Sequence, residues 1–295
     1  MKLLDFGSLN IDHTYQLPHL VRKGETLASY SYQKNEDGKG FNQAVALAKA
    51  GQEVYIAGAI GRDGVFLQAN LQELGVHVKH LQVLDAPTGH AVIQLDAEGS
   101  NSIILFSGTN GMVTEEMIDA VLADFSAGDY LLLQNEISHV DKIIHAAYER
   151  GMHIILNPSP MSKELLTWPL EKVEWFILNE IEGADLTGKE QPEEMLDELL
   201  KRYPACHVVL TLGEHGSVYA DAAQKIYQGV ITAKAIDTTA AGDTFTGYFI
   251  HELLQGKDIR QALNTAAHAS AITVSRSGAG RSIPMADEVR LAMEK

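Results

Sequence analysis

The sequence predicts an α/β fold: a three-layer sandwich with a mostly parallel central sheet and a small inserted β lid. Two observations carry that expectation. From about Asp129 onward, short continuous apolar runs alternate with stretches whose apolar residues recur at helical spacing, as parallel strands buried on both faces and joined by crossover helices require. The first hundred residues differ, because segments with the look of antiparallel strands lie between and after two core-like runs.

In chain order, residues 1–8 and 53–58 read as core strands. Residues 88–95 and 102–106 flank Asp96-Ala97-Glu98-Gly99-Ser100-Asn101, a hairpin turn. With residues 26–33 they are expected to form the lid, inserted at about 10–36 and 88–108. Residues 130–134, 153–157, 173–178 and 207–212 are the strands of the second half, and 139–150, 180–187 and 193–202 are helices between them. Residues 242–254 and 259–274 are long helices. No Pro- or Ser-rich linker, repeat or low-complexity segment divides the chain, so residues 1–295 are expected to be one domain carrying a lid.

Composition excludes whole classes of function. At 45% hydrophobic residues, 295 positions supply ample apolar surface for a core, so a disordered chain is excluded. Acidic residues outnumber basic ones 39 to 23, and the net charge of −16 argues against a nucleic-acid partner, leaving a small molecule as the default. The one cysteine, Cys206, can form neither an internal disulfide nor a thiolate metal cluster, which suits a reducing compartment. No apolar run approaches the roughly 20 residues of a membrane span, and Asp5 interrupts the N-terminal apolar stretch, so neither membrane insertion nor a signal peptide is expected. A cytoplasmic location follows as an expectation.

Two loops carry the chemistry. Asp237-Thr238-Thr239-Ala240-Ala241-Gly242-Asp243-Thr244-Phe245 leads small residues directly into a long helix. Small side chains let a ligand approach the backbone, and free amides at a helix start attract an anion. Asp243 would lie in the first turn, where a carboxylate can take a proton from a hydroxyl nucleophile. Residue types alone favour a plainer reading, with Asp243 as a helix-stabilising acid and Gly242 as a turn. The second loop, Asp37-Gly38-Lys39-Gly40-Phe41-Asn42-Gln43-Ala44, also enters a helix, and Lys39 and Asn42 supply a cation and an amide suited to sugar hydroxyls. It is not a Walker A loop, whose glycine-lysine-serine or -threonine ending is absent from the chain.

Together these loops resemble the two signatures of the ribokinase family of carbohydrate kinases, and further matches follow in order along nearly the whole chain. Gly7-Ser8-Leu9-Asn10-Ile11-Asp12 resembles the family's first strand and sugar-contacting turn, and Gly24-Glu25-Thr26 its approach to the lid. Gln134-Asn135-Glu136, Asn157-Pro158-Ser159-Pro160, Asn179-Glu180-Ile181-Glu182 and Thr211-Leu212-Gly213-Glu214-His215-Gly216 are similar to its later strand exits.

The resemblance implies ATP-dependent phosphorylation of a sugar's primary hydroxyl. By position, Asp243 matches the general base, and the amides of Ala240, Ala241 and Gly242 match an anion hole worth about 3 kcal/mol per donor. Asn10, Asp12, Gly38, Lys39, Asn42 and Glu136 match sugar-binding positions. Asn179 and Glu182 match the motif that organises Mg²⁺, with Glu182 acting through water. Thr211, Gly213 and Gly216 match the nucleotide-phosphate loop. Asp237 and the backbone carbonyls of Thr239, Arg276 and Gly278 match a site for a monovalent cation such as K⁺, although Gly278 also reads as an ordinary helix terminus. A homodimer through the lid is implied by resemblance only.

One departure bears on the acceptor. The family usually has paired glycines where this chain has Asp37-Gly38, which puts a carboxylate beside the sugar loop. The Ala240-Ala241 pair is more similar to the ribokinase branch than to the fructokinase branch, so ribose leads, with fructose or a nucleoside as alternative acceptors and a non-catalytic sugar or nucleotide sensor as the reading from another class. Other chemistry finds no support. His251-Glu252-Leu253-Leu254-Gln255 lacks the second histidine of a zinc-protease helix, and no serine lies in a Gly-x-Ser-x-Gly elbow.

Overall fold

In the computed structural model of the protein, which describes residues 1–294, the chain opens with strand β1 (Leu3–Phe6), buried at every residue. Strands β2 (Asn10–Gln16) and β3 (Ser31–Asp37) then leave the core as an antiparallel pair. Helix α1 (Lys39–Ala50) returns the chain and stops at Gly51, whose left-handed conformation satisfies the last carbonyls. Strand β4 (Tyr55–Gly61), helix α2 (Val65–Glu73) and strand β5 (His77–Leu84) form a parallel strand–helix–strand unit. Strands β6 (Gly89–Leu95) and β7 (Asn101–Phe106) are joined by a turn in which Asp96 accepts the amides of Glu98 and Ser100.

Helix α3 (Glu115–Leu122) leads into an alternation of β8 (Tyr130–Leu133), α4 (Val140–Glu149), β9 (His153–Leu156) and β10 (Trp175–Asn179). Helix α5 (Glu180–Thr187) begins in a capping box between Asn179 and Glu182 and ends at left-handed Gly188. Helix α6 (Pro192–Arg202) and strand β11 (His207–Thr211) continue the alternation. Strands β12 (Ser217–Ala220) and β13 (Lys225–Gln228) add an antiparallel edge. Helices α7 (Ala241–Leu254), α8 (Ile259–Val274) and α9 (Ala286–Met293) close the chain.

The large sheet has the order β13-β12-β11-β10-β9-β8-β1-β4-β5, and the small one β3-β2-β6-β7. The large sheet is parallel from β5 through β11. Its side chains alternate between two cores. Leu132, Ile155, Ile177 and Val209 face a layer that contains α1, α2, α7, α8 and α9, whereas Leu131, Ile154, Phe176 and Val208 face α3, α4, α5 and α6. That period of two, with both faces apolar, makes the three layers.

Two expectations shift. Residues 26–30 are outside any strand, and the strand expected at 26–33 runs instead over Ser31–Asp37. Its pairing partner fixes this: Gln16 opposes Ser31 and Asn10 opposes Asp37, so β3 starts and stops where β2 does. The hairpin β12–β13 follows the Thr211 to Gly216 loop, where sequence patterning gave no strand. No helix among the described residues is long and apolar enough to cross a membrane.

Candidate functional site

The carboxyl ends of β1, β8, β9, β10 and β11 lie side by side, and the residues just beyond them line the mouth of the sheet, where ligands of open α/β folds bind. Backbone contact comes first. Gly7, after β1, and Gly40, in α1, are so close that a Cβ on Gly40 would lie 2.6 Å from both the Gly7 carbonyl carbon and the Ser8 nitrogen. Gly38 has φ 104° and no room for a side chain against Asn10 N and Ser8 O, each 2.9 Å from its ideal Cβ. These glycines press the start of α1 onto the end of β1.

Asp243 lies in the first turn of α7 and is buried. Its Oδ1 accepts from Gln43 Nε2 at 2.8 Å and its Oδ2 from Asn42 Nδ2 at 3.3 Å. The same Asn42 amide donates to Asp37 Oδ1 at 2.6 Å. Ahead of Asp243, Ala240 takes a left-handed φ of 59°, uncommon for a residue with a Cβ. Among the described residues, the amides of Ala240, Gly242 and Asp243 have no partner, whereas the Ala241 amide donates to the Thr238 carbonyl at 3.2 Å. The free set thus includes Asp243, which sequence reasoning did not name as an amide donor, while Ala241 is held by a long bond.

Glu136 is tied at the opposite wall. Its Oε2 accepts the Lys39 amide at 3.0 Å and the Ser8 hydroxyl. Asn10 Oδ1 accepts from Asn110 Nδ2 at 2.7 Å, and Asn110 also bridges both backbone groups of Leu9. Asp12 follows one pleat further along the same face of β2. Burial, with the Asp37 and Glu136 carboxylates adding to it, pushes the Asp12 carboxyl up to about 7. Asp37 is pushed up to about 6, chiefly by burial; the Asn42 hydrogen bond opposes the rise and Asp243 and Glu136 add to it. Lys39 stands among these acids. Burial works against its charge, but Asp243, Glu136, Glu182 and Asp37 outweigh it and hold the ammonium above the ordinary lysine range.

Two cavities meet at the Asp243 loop. The smaller, about 230 Å³, is lined by Lys39, Asn157, Asn179, Glu182, Gly242 and Asp243 among others. The larger, about 630 Å³, is lined by Gly213, Gly216, Val230, Phe245 and Val274, and it shares Thr211, Thr238, Ala241 and Gly242 with the smaller. A polar cavity thus adjoins a larger, mostly apolar one, a lining suited to a charged group attached to an apolar body. Gly216, at φ 93°, admits no side chain, since a Cβ would lie 2.1 Å from the Gln228 carbonyl oxygen.

Glu182 is buried, and its Oε2 accepts the Asn179 amide at 3.0 Å while the Glu182 amide donates to Asn179 Oδ1 at 2.9 Å. Its other carboxylate oxygen accepts no hydrogen bond among the described residues and is available to a hydrated cation. Asp237, Thr239 and Gly278 form a second hydrogen-bonded group on the segment that leads into the Asp243 loop, and Arg276 lies two residues before Gly278. Asp237 Oδ1 accepts the Thr239 amide and hydroxyl at 3.0 and 2.7 Å, and Oδ2 accepts the Gly278 amide at 2.9 Å. These bonds hold the Asp237 carboxyl below the usual range against the effect of burial. The carbonyls of Thr239, Arg276 and Gly278 accept no hydrogen bond among the described residues. Oxygen donors beside a carboxylate suit a hard monovalent cation.

Sequence reasoning missed Asn110 and assigned no role to Ser8 or Gln43, which stand only inside motif matches. Gln43 follows Asn42 directly and carried no separate signal; Asn110 is far along the chain from the Asn10 it fixes. Gln134 and Asn157 stood only inside motif matches, yet both hydrogen-bond to Gln43, at 2.8 and 3.0 Å.

A family profile described as pfkB family carbohydrate kinase matches residues 2–286. The chain is 35% identical to the ribokinase of Haemophilus influenzae, over 96% of this chain and 95% of that one. Its fold is similar to a structure of Arabidopsis thaliana ribokinase complexed with ribose and ATP, with a TM-score of 0.88 and 31% identity over 100% of this chain and 99% of that one. It is similar as well to a ribokinase from Cryptococcus neoformans var. grubii solved with ADP, with a TM-score of 0.87 and 34% identity, covering 98% and 99% of the two chains.

Proposed function

The chain belongs to the pfkB family of carbohydrate kinases, and on that premise we propose that it moves the γ-phosphoryl group of ATP to the primary hydroxyl of ribose. The observation that carries this reading is the position of Asp243, which lines the smaller cavity directly after Ala241 and Gly242, residues that line both cavities. Ribose would lie over Asn10, Asp12, Gly38, Asn42 and Glu136, with Lys39 beside the transferred group. Thr211, Gly213 and Gly216 would flank the nucleotide.

In the transfer, the sugar hydroxyl gives its proton to Asp243 as its oxygen forms a bond to the γ-phosphorus. The bond from that phosphorus to the bridging oxygen breaks, and ADP leaves with the electron pair. The unpartnered amides of Ala240, Gly242 and Asp243 would stabilise the charge on the phosphoryl oxygens. Gln43 occupies Oδ1 of Asp243 with a firm bond, so Oδ2, held only by the 3.3 Å contact from Asn42, is the oxygen free to accept the proton.

Glu182 through water, with Asn179, would hold Mg²⁺, which when bound offsets phosphate charge. Asp237 and the carbonyls of Thr239, Arg276 and Gly278 would hold K⁺ and brace the anion loop. The small sheet, built from β2, β3, β6 and β7, would act as a lid that excludes water over the sugar. Strand β7 is an open edge with Ile103, Ile104, Leu105 and Phe106 all exposed. A second copy covering it would remove an aggregation-prone edge, supporting a homodimer through the lid. Light scattering reads that directly.

The test is transfer from γ-labelled ATP to ribose, fructose and a nucleoside, each over a concentration series. Ribose is expected to give the highest kcat/KM. A preference for fructose or the nucleoside would overturn the acceptor, and absence of transfer to all three would overturn the kinase reading.

A further inference from the structure

Asp5 is a carboxyl in the middle of the molecule. It is fully buried on β1, between Ile56 of β4 and Leu132 of β8, with Leu4 and Phe6 on either side along the chain. Its Oδ1 accepts from Gln134 Nε2 at 3.0 Å. The second hydrogen of that amide goes to Gln43 Oε1 at 2.8 Å, and Gln43 Nε2 in turn donates to Asp243 Oδ1. One continuous line of hydrogen bonds therefore runs from Asp5 to Asp243.

Two atoms on that line are buried with no partner, and they belong to its first two residues: Asp5 Oδ2 and Gln134 Oε1. Both side chains lie over Gly7, whose ideal Cβ would be 2.2 Å from Gln134 Oε1 and 3.1 Å from Asp5 Oδ1. An ionised Asp5 offers only acceptors, so it leaves both atoms orphaned and a charge in the core, each of which is unfavourable. A proton on Oδ2 would supply a donor to Gln134 Oε1, the pairing an acid and an amide make when they meet face to face, and Gln134 is already bonded to Oδ1.

We infer that Asp5 is kept as a neutral acid, joined to Gln134 by two hydrogen bonds, and that this acid–amide pair is a positioning element for the phosphoryl-transfer base. With Gln134 Oε1 committed to Asp5, its NH₂ must face Gln43, which turns the Gln43 NH₂ toward Asp243. Asp5 touches neither substrate nor nucleotide; it acts through two amides. The inference rests on Asp243 being the base. Burial drives the Asp5 carboxyl well above the usual carboxylate range, against the Gln134 bond, and Asp243 adds to the rise. Asp243, from α7, is the charged group that faces it; β8 and α1 present the neutral amides of Gln134 and Gln43 on this line.

Asp5→Asn keeps one acceptor and one donor in the same shape, whereas Asp5→Val keeps neither. The expected result is kcat within about threefold of wild type for Asp5→Asn and at least about tenfold lower for Asp5→Val, with KM for ribose and ATP unchanged in both. A fall in kcat for Asp5→Asn as large as that for Asp5→Val overturns the positioning role.

Thermal unfolding tests the proton without any turnover, so it can fail independently of the Asp243 assignment and does not depend on the valine variant folding. With Asp5 neutral, the fold retains a proton that the unfolded chain releases above about 3.9, the ordinary aspartate value. Its stability should therefore fall as pH rises toward the folded pKa, a penalty that Asp5→Asn lacks. The Tm of Asp5→Asn should exceed that of wild type by a margin that is small near about pH 4 and widens toward about pH 8. A margin that does not change with pH would mean an ionised Asp5 and overturns the inference. The carbonyl stretch of a protonated carboxylic acid, present in wild type and missing in Asp5→Asn, gives the same answer spectroscopically.

Discussion

Gln43 Nε2 donates to Asp243 Oδ1 across 2.8 Å, which joins the N-terminal part of α1 to the first turn of α7. One side chain comes from the sugar loop and the other from the anion loop. Their bond means that the proposed sugar-binding residues and the proposed phosphate loop are held as one unit, because Gln43 is itself fixed by Gln134 and Asn157. Such a network orients the carboxylate before substrate arrives.

Asp243→Asn is expected to lower kcat by about 10²- to 10⁴-fold, the usual contribution of a positioned general base. Its Oδ1 still accepts from Gln43, so the site should stay assembled. Ribose affinity measured by calorimetry should change by no more than about threefold. Turnover close to wild type in this variant would remove Asp243 as the base.

A second consequence concerns the close approach of α1 and α7. A Cβ on Gly247 would lie 2.5 Å from Ala46 Cβ and 2.9 Å from the Leu47 nitrogen, so the helices can cross this closely only with glycine there. Gly247→Ala should force them apart and destabilise the fold by about 1–3 kcal/mol. Because the same crossing brings Gln43 to Asp243, kcat should fall about tenfold while KM for ATP holds. A stability loss with unchanged kcat would show that the crossing does not set the base.

How far the sequence discloses this arrangement depends on where the information lies. Helices Glu180–Thr187 and Ile259–Val274 match their expected bounds because their stops and starts are residue properties: the Asn179 cap, Gly188, and the Asp258 side chain that accepts the Gln261 amide. The buried parallel strands are legible for the same reason, since both faces must be apolar. Strand β5 is not, because it is a sheet edge with exposed and buried residues mixed and charges within it. In the site, Lys39 and Asn42 stand out by residue type, whereas Asp243 and Glu136 take their roles from the resemblance of their motifs to the family. Ser8, Gln43 and Asn110 are ordinary neutral side chains whose roles arise only from contacts between distant segments.

The acidic cluster at the proposed sugar site predicts a pH dependence of binding. Asp12, at about 7, and Asp37, at about 6, keep their protons well above the ordinary aspartate range. Sugar hydroxyls donate better to ionised carboxylates, so KM for ribose should fall as pH rises from about 5.5 to about 8. The two groups also cost stability over that window, because the unfolded chain has already released both protons. Asp37→Gly removes one of the acids that raise Asp12, so the fall in KM should shift to lower pH. The pH profile of kcat/KM for ribose checks this, and an unshifted profile would show that Asp37 does not bear on Asp12.

Glu182 combines two roles that one substitution can separate. Its Oε2 completes the capping box with Asn179, and its other oxygen is the one assigned to hydrated Mg²⁺. Glutamine serves equally well at the third position of a capping box, so Glu182→Gln should keep α5 and change stability by less than about 0.5 kcal/mol. It removes the charge, however, and Mg²⁺ favours anionic oxygen even through a water. The Mg²⁺ concentration for half-maximal rate should therefore rise about five- to tenfold, with KM for ribose unchanged. Chelation with EDTA should abolish turnover in both proteins, and added Mg²⁺ should restore it. An unaltered Mg²⁺ requirement in Glu182→Gln would leave Glu182 as a helix cap and place the metal on other oxygens of the cavity.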